Sequence, residues 1–113
     1  MLSACPFNPM EILTKDTFEA FTQKPFAIVD FWAPWCGPCR ALMPILERIS
    51  EQKSVAIGKM SIEDEDAQEW VQRYQVRSIP TLLFFKNGEC VETHVGLLAE
   101  EALLAKIAQH ADK

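Results

Sequence analysis

Two cysteines three residues apart, Cys36 and Cys39, enclose Gly37-Pro38 in the stretch Pro34-Trp35-Cys36-Gly37-Pro38-Cys39. Thiols at this spacing can close a disulfide with each other, so the pair can exchange two electrons with another disulfide. The apolar run Phe26-Ala27-Ile28-Val29-Asp30-Phe31-Trp32 precedes them, and Ala41, Leu42, Ile45, Leu46 and Ile49 follow at helical spacing. Strand followed by helix puts Cys36 at a helix N-terminus, where free backbone N–H groups and the positive end of the dipole favour a thiolate. Cys36 is then the attacking thiol, and Cys39, one turn in and shielded, resolves the mixed disulfide. Two other readings stand beside this one. A structural zinc site needs four ligands, and only the widely separated Cys5, Cys90, His94 and His110 remain to complete it. An inert pair needs nothing further.

Asp30 is the one charged residue in that apolar strand. Its carboxyl is expected to be buried, which favours the neutral form and raises the pKa. Aimed at the cysteines, it could take and return the proton of Cys39, if need be through a water. Lys59 is its expected partner. The alternative is a buried ion pair with a structural role only.

These residues need a scaffold, and the rest of the pattern supplies one. A weak strand is expected at 11–13. A short helix follows, capped by Thr14 or Asp16 and carried to Phe21, with Phe18 and Phe21 inward and Lys24-Pro25 ending it. The run from Phe26 to Trp32 reads as a strand covered on both faces. The helix behind the cysteines should reach about residue 51, with Pro44 kinking it. A strand at 54–60 and a helix at 63–74 follow, the latter turning Ala67, Trp70, Val71 and Tyr74 inward. Strands at 81–86 and 89–95 flank Asn87-Gly88, a strong hairpin signal. A helix at 99–110 closes the chain, with Leu103, Leu104, Ile107 and the adjacent Ala111 on one side. The expected architecture is α/β, a central mixed sheet of four to five strands flanked by about four helices. Residues 1–9, with Pro6, Asn8 and Pro9, read as an N-terminal arm, and residues 10–113 as a single domain.

Composition narrows the function. Of 113 residues, 11 are Lys or Arg and 16 are Asp or Glu, a net charge of −5, so no basic surface is available for nucleic acid. Apolar runs such as 79–85 stop at strand length, so no membrane partner is expected. No Lys or Arg precedes Lys15, and no long apolar segment marks a secretory signal. Leu2-Ser3-Ala4-Cys5 has the local look of a lipoprotein cleavage site, yet only Met1 precedes it. A cytoplasmic location is expected, with Cys5 and Cys90 as free thiols, no disulfide between them, and Cys90 open to oxidation. His94 and His110 read as surface residues, Trp70 as core, and Asp64 to Asp66 with Glu69 as a solvated helix start.

Taken together, the motifs resemble the thioredoxin family. Phe31-Trp32-Ala33-Pro34-Trp35-Cys36-Gly37-Pro38-Cys39-Arg40, then Pro44, then Ser78-Ile79-Pro80-Thr81-Leu82-Leu83-Phe84-Phe85-Lys86-Asn87-Gly88-Glu89, then Val95-Gly96 agree with it in content, order and separation over about residues 11–107. The resemblance implies the thioredoxin fold and a monomeric thiol-disulfide oxidoreductase that reduces protein disulfides. It also implies re-reduction by an NADPH-dependent flavoprotein, thioredoxin reductase. No bound cofactor or metal is implied; the redox group is the Cys36-Cys39 pair, with Asp30, Lys59 and Pro80 completing the catalytic set. In the family the proline matching Pro80 is cis and faces the disulfide, and the backbone before it, here Ile79, pairs with the substrate chain. From the residues alone, a trans turn proline is the commoner case. The implied docking surface comprises Trp35, Gly37, Pro38, Ile79, Pro80, Val95 and Gly96, with Trp35 exposed and Trp32 packed beneath. Ser78 departs from the glycine often found there, which bears on partner choice. Gly37-Pro38 favours a reductase, since oxidases and isomerases of this fold usually carry a histidine between the cysteines. The competing function is a binding module in which the cysteines are incidental; replacing both with serine separates the two.

Overall fold

A computed structural model describes residues 10–53 and 55–111. The expected arm at 1–9, with Cys5, the lipoprotein-like stretch and any Cys5-Cys90 pairing, lies outside the described residues, as do Ser54 and residues 112–113. The elements run β1 (Glu11–Ile12), α1 (Phe18–Thr22), β2 (Phe26–Trp32), α2 (Gly37–Lys53) and β3 (Ala56–Ser61). A 3-10 turn (Glu65–Ala67) then leads into α3 (Gln68–Arg73), followed by β4 (Thr81–Lys86), β5 (Glu89–Val95) and α4 (Glu100–Ala111).

The strands form one sheet in the order β1-β3-β2-β4-β5. β1, β3 and β2 are parallel, and β4 and β5 are antiparallel to their neighbours. β2 is the central strand, and strand alternation divides its side chains between two cores. Ala27, Val29 and Phe31 join Leu13, Phe18, Met60, Trp70, Leu83 and Phe85 on one face. Ile28 joins Leu42, Leu46, Ile49, Leu82, Phe84, Leu103 and Ile107 on the face covered by α2 and α4. Asp30, two residues after Ile28, falls on that second face.

Phe18 organises the first core by stacking on Trp70, with ring centroids 4.3 Å apart, and meeting Phe85 edge-on at 6.2 Å. Such pairs add about 0.5–1.5 kcal/mol to what burial alone contributes. In α2, Leu42, Leu46 and Ile49 are buried and Ile45 is half-buried, whereas Ala41, expected on the inner face, is exposed. The helix continues through Pro44. Asn87 at φ 53° and Gly88 at φ 89° make the expected tight hairpin turn.

The helix expected at 63–74 begins later than its periodicity suggested. The Asp64 side chain accepts the Asp66 N–H at 3.0 Å and ties the first residues into a 3-10 turn. At the other end the chain leaves the helix at Tyr74 and passes through Gln75 at φ 55°.

Candidate active site

Cys36 immediately precedes α2, and the Cys39 N–H points at its Sγ from 3.2 Å. The two cysteines form a disulfide, their Cα atoms 5.2 Å apart. Cys36 is 6% exposed and Cys39 is fully buried. With Ala33 they make a small cluster against Trp32, Ile62 and Ile79. A thiolate released at Cys36 would sit against a backbone donor at the positive end of a 17-residue helix, the environment that stabilises it.

The peptide bond between Ile79 and Pro80 is cis. The Ile79 carbonyl oxygen lies 3.9 Å from Cys36 Sγ. The Gly96 N–H donates to the Pro80 carbonyl at 2.8 Å, joining the loop before β4 to the end of β5. Gly96 itself takes φ 99°, a conformation that suits glycine. Around the disulfide, Gly37 and Pro38 are exposed, as are Trp35 at 63% and Val95 at 58%. Ile79 thus stands next to Cys36, and Gly96, which follows Val95, is joined to Pro80.

Trp35 is held in place, since its Nε1–H donates to Glu63 Oε2 at 2.5 Å. Glu63 is positioned because the Ile62 N–H bonds the Trp32 carbonyl at 2.9 Å, continuing the sheet beyond β3. Trp32 packs beneath the cysteines as expected. Asp30 is fully buried, and burial raises its pKa to about 7 against the opposing attraction of Lys59. Lys59 is its cross-strand neighbour, but no ion pair joins them. The Lys59 ammonium lies over the Trp32 ring, 5.0 Å from the centroid.

The remaining cysteine and histidines behave differently from expectation. Cys90 is half-buried against the first core, and burial pushes its thiol pKa up, away from reactivity. His110 is not a surface residue: its side chain is 16% exposed, and its Nε2 lies 2.6 Å from Glu92 Oε1. His94 is also partly buried, its Nε2 without a hydrogen-bond partner. His110 is covered because Glu92 on β5 reaches it and Lys106 on α4. Among the described residues no group of three His, Cys, Asp or Glu side chains is placed to hold a metal. No helix among them is long and apolar enough to cross a membrane.

Sequence reasoning missed Glu63 and a groove beside Trp35 that includes Ile62, Gln68, Val71, Val76 and Arg77. Val76-Arg77 directly precedes Ser78-Ile79-Pro80, and that adjacency was the available signal.

A disulfide at a helix N-terminus, faced by a cis proline on this mixed sheet, defines a thiol-disulfide oxidoreductase. The sequence model of the thioredoxin family matches residues 9–109, and the chain belongs to that family. It is 41% identical to a thioredoxin of Bacillus subtilis strain 168 over 97 residues, 86% of this chain and 93% of that one. A Buchnera aphidicola thioredoxin is 47% identical over 97 residues, 82% of this chain and 88% of its own. Among solved structures, a mutant thioredoxin from Halobacterium salinarum NRC-1 superposes with a TM-score of 0.85 at 34% identity, over 96% of both chains.

Proposed function

We propose that this chain reduces disulfides in protein substrates through a mixed disulfide. The Cys36 thiolate attacks one substrate sulfur; the substrate S–S bond breaks, and the departing sulfur leaves as a thiolate that takes a proton. The Cys39 thiol then loses its proton and attacks Cys36 Sγ, which releases the second substrate sulfur and closes the Cys36-Cys39 disulfide. Two electrons pass to the substrate. The ionised carboxylate of Asp30 takes the Cys39 proton, and Lys59 tunes Asp30 from the neighbouring strand. Substrate backbone docks at Ile79 and Pro80, over Trp35, Gly37, Pro38, Val95 and Gly96. Electrons return from NADPH through thioredoxin reductase, the second protein partner of a cytoplasmic monomer. Residues 10–113 act as the single domain and 1–9 as its arm.

The observation that carries this reading is the asymmetry of the pair, with Cys36 marginally exposed and its sulfur beside the Ile79 carbonyl, and Cys39 fully buried. The test is reduction of insulin disulfides with dithiothreitol, then with NADPH and thioredoxin reductase, for wild type and Cys36→Ser. Rapid turnover abolished in the variant is expected. No turnover by a folded wild type would replace the reductase with a binding module. Turnover with dithiothreitol but not with the reductase would assign another electron source.

A further inference from the structure

The groove beside the disulfide has a volume of about 310 Å³, and its lining includes Trp35, Ile62, Val71, Val76, Arg77 and Ile79. Its lining is largely apolar, and Arg77 supplies its one charge. Among the described residues the other arginines have partners: Arg40 the Pro34 carbonyl, Arg48 Glu100, and Arg73 both Glu19 and Glu69. The Arg77 guanidinium has no hydrogen bond or ion pair among the described residues. Glu63, which is not part of the lining, holds the Trp35 indole in place. An extended chain lying in it meets a single charge, at Arg77, and that is where a carboxylate is welcome.

We propose that this groove selects protein disulfides in which an apolar residue and then an aspartate or glutamate flank the reacting cysteine. The apolar side chain fills the space between Trp35 and Val71, and the carboxylate meets Arg77, whose planar guanidinium suits a two-pronged contact. The selection rests on the disulfide-reductase reading given above. Because Arg77 is exposed, the contact is screened by salt.

The test uses three disulfide-linked peptide dimers, alike except for Glu, Gln or Lys after the apolar residue beside the cysteine, with dithiothreitol as the final reductant. Wild type should show kcat/KM for the Glu peptide about fivefold above that for the Gln peptide at low salt. The Lys peptide should fall below both, and the preference should shrink in high salt. In Arg77→Gln the Glu-to-Gln ratio should drop to about one, and Arg77→Glu should rank Lys above Glu. Equal rates for the Glu and Gln peptides in wild type, or a ratio unchanged by Arg77→Gln, would overturn the selection while leaving reductase function intact. Reduction of none of the peptides by wild type would bring down both.

Discussion

Asp30 and Lys59 stand opposite each other across the ladder between β2 and β3, yet their charged groups do not meet. The ammonium lies over the Trp32 ring, and neither oxygen of the Asp30 carboxyl has a hydrogen-bond partner among the described residues. Burial therefore outweighs the attraction of Lys59, and the carboxyl is neutral over much of the range in which ordinary aspartates are charged.

Stability should fall as pH rises because of Asp30. The carboxyl ionises near 3.8 in an exposed setting and near 7 when folded. Between those values the unfolded chain releases a proton that the folded chain keeps. The favourable contribution is complete below about pH 4 and is lost as pH rises through 7. Asp30→Asn should be more stable than wild type by roughly 2–4 kcal/mol at about pH 8, with a smaller gap at pH 5. Urea unfolding at both pH values checks this, and a variant weaker than wild type at pH 8 contradicts it.

Cys39→Ser should stall the reaction halfway. Its Cys36 can still open a substrate disulfide, but nothing resolves the mixed disulfide, which should accumulate as a covalent adduct seen by non-reducing mass spectrometry. Cys36→Ser should form none. An adduct of equal yield through Cys39 in the latter would reverse the assigned roles.

Gly58→Ala should overpack the core beneath β1. A Cβ added there would lie 2.9 Å from Leu13 Cγ, and Leu13 is buried with little room to shift. A loss of about 1–3 kcal/mol in chemical unfolding is expected. No loss would mean that Leu13 yields more easily than its burial suggests.

Glu92 fastens α4 to β5 through Lys106 and His110, and those contacts hold its carboxyl below the usual glutamate range. Its contribution is present above about pH 4.5 and is lost as pH falls through the lowered folded value. Glu92→Gln should cost about 1 kcal/mol at neutral pH, with the difference from wild type closing in acid. An equal difference at pH 3 would assign the cost to packing instead of charge.

Much of the scaffold was legible because its signals are local. The apolar run from Phe26 to Trp32 could only be a covered strand, and Asn87-Gly88 announced its turn through the backbone conformation those residues tolerate. Asp30 stood out as a charge where none belonged, and its burial followed. What was not legible depends on side-chain direction and on distant partners. The long stem of Lys59 carries its charge to Trp32 instead of Asp30. His110 is covered because Glu92, eighteen residues earlier, faces it across the packing of α4 on β5. The start of α3 shifted because one Asp64 oxygen competes for a backbone donor, and periodicity does not register such a bond.

The approach of Cys36 to Ile79 joins positions 43 residues apart in the chain. The sulfurs are delivered by β2 and α2, whereas the cis Ile79-Pro80 backbone beside them comes from the entry to β4, tied to the end of β5. The first half of the chain supplies the disulfide and the second half the cis-proline loop beside it, and the antiparallel ladder from Phe26↔Lys86 to Phe31↔Thr81 is the seam between them. A backbone cut at 75–78 would leave the disulfide on one fragment and the cis proline on the other, and only reassociation along that seam would bring them together again.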